Sequence, residues 1–369
     1  MVEAGYQTFE PDWFSKPADS LLGLLQRRSI PIEELADALE GGIETIRGLL
    51  HGTRAIDSGL AITLSRVVGG APSYWLKRQD DYDRLLDLAV NKAISDVDEW
   101  LSRAPIPGHL PRGKLSQSQK ILQIRKKLSF YGVNSLQSWH RKYSYLRDNT
   151  QFRTSQAYSS KESALSLWLR LGELEASLTT TNRWNPVKLR ESIDSLVKLS
   201  KIRHPHLFMP KLKRMCAEAG VAIVAIRAPK GCTASGASRL ISSDKAMILL
   251  SFRHLSDDHF WFTLMHEFGH LLLHGAESFV DTDDTDEDER EREANEFASG
   301  CIVPASRWEE FISLWDNQES ILRFSISLGV APGLIVGQLQ HRNQIPQNRL
   351  NHLKRRWSWD EIDIRTFIP

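Results

Sequence analysis

From Phe260 to Leu272, apolar residues recur at Phe260, Trp261, Leu264, Met265, Phe268, Leu271 and Leu272. Gaps of three and four place them on one face of a helix. Ser256 or Asp257 is a natural N-cap before it, and Gly275 a stop after it. Upstream, Lys245 to Phe252 reads as a strand and Val221 to Ile226 as a buried one, the latter preceded by a helix from Met209 to Glu218. Downstream, Ala294, Phe297, Ala298 and Cys301 form a second helical stripe, closed by Gly300 and Pro304. The first part of the chain patterns differently. Short helices are marked there by Leu21 and Leu25, by Ile32, Leu35 and Leu39, by Ile46, Leu49 and Leu50, by Leu60 and Leu64, and by Trp75 to Leu86. From Asp87 to about His204 the pattern is mainly helical, broken at Pro105-Ile106-Pro107-Gly108 and at Pro111-Arg112-Gly113. The end of the chain, from Trp308, also reads as helical, with Lys354-Arg355-Arg356 as a solvated charge run on a packed last helix.

Composition narrows the class. The chain has 369 residues, 41% hydrophobic and 25% charged, enough for two or three ordinary domains. No apolar run reaches membrane-spanning length, and the N-terminus lacks the basic and then apolar order of a signal sequence. Cys216, Cys232 and Cys301 are too few and too irregular for a disulfide framework, so a reducing cytoplasm is the simplest compartment. The net charge of +1 conceals an asymmetry. Residues 1–85 carry nine Lys or Arg against thirteen Asp or Glu, while residues 103–161 carry twelve against one. The basic stretch interleaves Phe130, Tyr131, Trp139, Tyr143, Tyr145, Phe152 and Tyr158 with cations. These aromatics read better as a bundle core than as a stacking surface. The charge itself suits a polyanionic partner or the acidic loop Asp281 to Glu289.

The chemistry lies in the helix at Phe260. It contains His266-Glu267-Phe268-Gly269-His270, a His-Glu-x-x-His pattern. Histidines four apart are about 40° apart around a helix, one turn above each other, so both imidazoles reach one metal. Glu267 lies beside the pair, placed to act as a base without being a ligand. A catalytic zinc takes three protein ligands and keeps its fourth position open. On the second helix, Glu291 lies about 60° from the centre of the apolar stripe and Glu293 about 100° away on the other side. Glu291 is therefore the favoured third ligand, with Asn295 one turn on, while Glu293 and His274 remain alternatives. His274 and His259 are candidates for stabilising an oxyanion.

Taken together, these residues resemble the ImmA/IrrE family of zinc metallo-endopeptidases. The resemblance rests on the His266-to-His270 motif with its Leu-Leu-x-His continuation, and on Glu291-x-x-Ala294-Asn295-x-Phe297-Ala298 ending in Pro304. Ser235-Gly236-Ala237-Ser238-Arg239 and Asp257 to Thr263 add to it, and look like the variant fused to an N-terminal helix-turn-helix. It implies zinc held by His266, His270 and Glu291, with Glu267 as the base.

At the other end, Leu35-Ala36-x-x-Leu39 followed by Ile46 and Leu49-Leu50-x-Gly52 resembles the helix-turn-helix of phage-repressor-like (Cro/C1-type, XRE) proteins. In such a fold the second helix reads bases from the major groove. Ile43, Glu44, Arg47 and Arg54 are the candidate DNA contacts. The sequence departs from the pattern in having Glu40 where glycine is usual and Gly42 where a hydroxyl cap is usual, and an acidic domain gains little from phosphate neutralisation.

The expected architecture is multi-domain and mostly α: a helix-turn-helix bundle at 1–86, a basic helical domain at 87–204, and a zincin-like metallopeptidase domain with a small mixed sheet at 205–369. The resemblance implies an endopeptidase that cleaves a specific protein, such as a repressor or antitoxin, and so alters transcription. Operator DNA is a further expected partner, and the N-terminal domain is where a homodimer would form. The competing reading is a DNA-binding regulator or antitoxin-like protein whose zinc site is structural or sensory.

Overall fold

The computed structural model describes residues 14–108, 113–143, 156–275, 279–282 and 289–362. They fall into two compact units, Met1–Lys142 and Tyr143–Pro369.

The first unit is helical throughout its described residues: α1 (Pro17–Arg28), α2 (Ile32–Ala38), α3 (Gly42–His51), α4 (Ser58–Val67), α5 (Pro72–Ala93), α6 (Val97–Arg103), α7 (Gln117–Tyr131) and α8 (Leu136–Lys142). The apolar positions that predict these helices supply the core: Leu21, Leu35, Ile46, Leu64 and Trp75 are buried. Three residues separate α2 from α3, and the left-handed backbone of that turn falls at Gly41, with φ +81°, rather than at Glu40. From the basic stretch, Phe130, Tyr131 and Trp139 are buried, the last two edge to face with ring centroids 5.9 Å apart. They form core. Tyr145, Arg147, Phe152 and Arg153 lie outside the described residues, as does the side chain of Tyr158. The divide between units falls inside the 87–204 stretch, because α7 packs on α5 whereas the next long helix packs on a sheet.

In the second unit, α9 (Gln156–Ser177), α10 (Pro186–Val197) and α11 (Pro205–Glu218) precede a four-stranded sheet. Its strands are β1 (Val221–Ala225), β2 (Ala234–Ser242), β3 (Lys245–Leu250) and β4 (Phe279–Thr282), in the order β1-β3-β2-β4. β1 and β3 run parallel, while β2 is antiparallel to β3 and to β4. α12 (Asp257–Leu273), α13 (Glu289–Ile302), α14 (Trp308–Ile312), α15 (Gln318–Leu328) and α16 (Pro332–His341) complete it. β1 and β3 read as unbroken apolar runs because helices cover them: Val221, Ile223, Ile248 and Leu250 join Phe208, Trp261, Leu264, Phe268 and Leu334 in one core.

Three local expectations are corrected. The helix expected from Met209 starts at Pro205, where proline's missing N–H costs nothing in a first turn. The strand expected to Phe252 ends at Leu250, because Phe252 turns into the left-handed region at φ +53°. The third is larger. Lys354 to Trp357 is not a solvated run on a last helix but an extended segment, with Ser256 and Arg356 bridged in antiparallel sense and Trp357 N–H donating to the Leu255 carbonyl at 2.8 Å. The Lys354 ammonium is buried against Asp258 at 2.6 Å. Two adjacent carboxylates at the start of α12 need a cation, and this segment supplies it. Burial alone would raise the Asp258 carboxyl, but hydrogen bonds from Lys354 and Ser256 outweigh it and hold it low.

No single helix among the described residues is long and apolar enough to cross a membrane.

Candidate metal centre

Ser256 has extended backbone at the N-cap of α12, and the helix then runs to Leu273 with His274 as C-cap. α12 lies under β2 and β3 and packs lengthwise on α13. Two glycines set how close these neighbours come. At Gly269, inside the motif, a Cβ would stand 3.1 Å from the Cα of Ala294, so the two helices touch through their smallest residues. At Gly236 a Cβ would stand 2.4 Å from Oε1 of Glu267 and 2.6 Å from Thr263, so β2 passes directly over the Glu267 face.

Close contact at Gly269 and Ala294 carries Glu291, one turn before Ala294, onto the histidines. Nε2 of His266 and Nε2 of His270 are 2.9 Å apart. The two carboxylate oxygens of Glu291 lie 3.2 Å from the first and 3.3 Å from the second. Among the described residues these three are the group whose ligand atoms all fall within 4.8 Å of one another. The inward face of α13 is rotated from the stripe expected: Ala294, Ala298 and Ile302 are buried, while Phe297 and Cys301 are only partly so. That rotation favours the Glu291 side. Glu293 instead faces His274 at 3.7 Å, and His274 also meets the Arg290 carbonyl at 3.2 Å. Neither joins the cluster.

The donor set suits zinc. A tetrahedral ion with metal–nitrogen distances near 2.0–2.1 Å holds its ligand atoms about 3.3 Å apart, close to the triangle seen here. The charge states suit it too. Burial lowers the His270 pKa, which favours the neutral ring that a ligand must be. For Glu291, burial would raise the carboxyl, but hydrogen bonds from His266 and His270 prevail and hold it at about 2. Asn295 adds what sequence reasoning left without a role. Its Oδ1 lies 3.0 Å from Nδ1 of His266 and accepts that ring's proton, leaving the Nε2 lone pair facing the cluster. Spacing does carry this signal, since Glu291 and Asn295 are one turn apart on α13. Gly236 was legible only as part of a pattern, because nothing in a strand's periodicity says which residue meets a helix. Glu267 is fully buried beside the cluster, beneath β2.

Residues 216–331 match the model of the peptidase M78 family, the IrrE N-terminal-like domain. The match spans His266, Glu267, His270 and Glu291 and supports a metallopeptidase of the ImmA/IrrE type in this part of the chain. No curated protein matches the chain.

The candidate DNA contacts lie in the first unit. Ile43 and Arg47 are half-buried and Glu44 and Arg54 exposed, on and just after α3. Arg47 is ion-paired with Glu44 one turn before it, and Arg54 donates to the Thr45 hydroxyl at 2.7 Å. His259 is exposed on the first turn of α12, stacked on His254, outside the ligand group.

Proposed function

We propose that this protein is a zinc-dependent endopeptidase, with zinc held by His266, His270 and Glu291 and with Glu267 as general base. One observation carries the reading: two imidazoles and a carboxylate converge on a single point, and the residue that follows the first of those histidines, Glu267, is a fully buried second carboxylate. Zinc, when bound, supplies Lewis acidity toward a peptide carbonyl and makes water acidic near neutral pH. His266 and His270 contribute neutral nitrogens and Glu291 one negative charge. Glu267 accepts the proton of the attacking water on a carboxylate oxygen and delivers it to the leaving amide nitrogen as the C–N bond breaks. β2, pressed on Glu267 through Gly236, fixes that carboxylate and shields it from bulk water. A structural zinc site needs no such base, and this weighs against the reading of the chain as a regulator with a merely structural or sensory metal.

In this reading the second unit is zincin-like, and the substrate is a specific cytoplasmic protein, such as a repressor or antitoxin, whose cleavage changes transcription. The short α2 and α3 with their three-residue turn support a helix-turn-helix domain at 1–86. Its role is then to dock or dimerise as much as to bind an operator, since Arg47 is already paired with Glu44 and the domain is acidic. The test is the appearance of new protein N-termini that depends on Glu267.

A further inference from the structure

A pocket opens one turn of α12 before Glu267, between β2 and the loop that leads into α12. It is shallow and partly open, with a cavity volume of about 20 Å³ that admits the end of a side chain, and its walls include Ser235, Phe252, Arg253, His254, His259 and Thr263. Two of these tie it to the metal centre. Thr263 is one turn before Glu267 on the same face of α12, about 6 Å along the axis. Ser235 precedes Gly236, the residue that touches both Thr263 and Glu267. Residues of an extended peptide are about 3.3 Å apart, so a side chain seated here belongs to a residue one or two places from the bond cleaved.

Arg253 is the fixed charge of the lining, and partial burial shifts the His259 imidazole toward its neutral form, in which it can still donate a hydrogen bond. Arg253, His254 and His259 form its polar rim, and among the described residues no carboxylate lines it. Arg253 and His259 are exposed, and the His254 and His259 rings stack with centroids 4.1 Å apart. Behind them, Arg356 donates to the His254 carbonyl at 3.3 Å. The neighbouring acid, Asp258, is buried and neutralised by Lys354. Phe252 gives an apolar floor suited to the methylenes of a side chain. We propose that this pocket is a specificity subsite that takes an acidic side chain, Asp or Glu, of the protein substrate next to the cleaved bond. The assignment rests on the peptidase reading for its position, but the pocket's preference for a carboxylate can be read without any cleavage.

Two experiments separate the two. In the first, full-length zinc-loaded protein carrying Glu267→Gln and isotopically labelled histidine is titrated with N-acetyl-glutamate α-amide and with its neutral glutamine analogue, and the imidazole resonances are followed by NMR. The His254 and His259 signals should move with the glutamate compound and respond at least tenfold more weakly to the glutamine compound. Equal responses, no response, or movement confined to His266 and His270, where the carboxylate would be meeting the metal, overturns the subsite. In the second, the active protein is given a random-sequence peptide library. Asp and Glu should be enriched severalfold at one position beside the cut, and the enrichment should fall in His254→Gln/His259→Gln. Enrichment of apolar or basic residues there overturns the proposal. Absence of any cleavage counts against the peptidase reading, and the subsite then stands or falls on the titration.

Discussion

Oδ1 of Asn295 sits 3.0 Å from Nδ1 of His266 and thereby fixes which nitrogen of that ring faces Glu291 and His270. A carbonyl oxygen can only accept, so the ring proton stays on Nδ1 and the lone pair on Nε2 points at the ligand group. Supports of this kind typically account for 10- to 100-fold in metal affinity. Asn295→Ala should weaken zinc binding by roughly that factor in competition against a chelator. Asn295→Asp, which keeps an acceptor, should lose less, and Glu293→Ala should change nothing. A change below about twofold in Asn295→Ala would show that the ring is held by other means.

Gly236→Ala isolates the base from the ligands. Its methyl would stand 2.4 Å from Oε1 of Glu267, so the carboxylate or β2 must move. A misplacement near 1 Å costs on the order of 100-fold in rate. Glu267-dependent cleavage should fall by about 10- to 100-fold while bound zinc stays at wild-type stoichiometry. Loss of zinc along with activity would mean that the strand supports the metal ligands instead.

The buried pair of Lys354 and Asp258, 2.6 Å apart with each side chain 7% exposed, joins the end of the chain to the motif helix. Removing one partner of such a pair leaves an uncompensated charge, at a cost of about 3–5 kcal/mol. Lys354→Met should therefore lower the thermal unfolding midpoint of the full chain markedly. Lys354→Met with Asp258→Asn should recover part of the loss, because the stranded charge is gone. Equal destabilisation in the two variants would rule out charge compensation as the cause.

Lys127 gives a pH signature in the first unit. It is 1% exposed and its ammonium donates to the Ala104 carbonyl. Burial lowers its pKa from 10.5 to about 8. Between those values the unfolded chain holds a proton that the folded chain has released, so stability rises with pH. Above pH 10 the trend is opposed by Tyr82, pushed up to about 12 chiefly by burial, since the unfolded phenol ionises first. From pH 8 to 10 the Lys127 contribution amounts to about 2–3 kcal/mol at most. Denaturant unfolding of wild type and Lys127→Met should give changes in stability across that window that differ by this amount. Equal changes would contradict it.

Much of the second unit was legible because its signals are local. Helical spacing from Phe260 to Leu272 places His266 and His270 on one face, and the angle of Glu291 about its helix separates it from Glu293. What was not legible depends on contacts between distant segments. Lys354 reads as a surface charge until Asp257 and Asp258 are seen to need a cation at the start of α12. Gly236 reads as an ordinary strand residue until β2 is laid on Glu267. Phe297 and Cys301 belong to the apolar stripe by spacing, yet the approach of Gly269 to Ala294 turns α13 so that Glu291 faces inward. The first unit carries the same lesson for Arg47, which reads from the sequence as a candidate DNA contact while the structure pairs it with Glu44, one turn away.

The central claim is peptide-bond hydrolysis with Glu267 as the base, and it can be tested while the substrate is still unidentified. Cells producing the wild-type protein, Glu267→Gln or His266→Ala are compared by labelling all protein N-termini and identifying them by mass spectrometry, with the zinc content of each purified protein measured alongside. The account predicts a small set of new N-termini with wild type that is absent from both variants, with Glu267→Gln still holding zinc and His266→Ala largely lacking it. Identical N-termini in wild type and a zinc-loaded Glu267→Gln protein would contradict it.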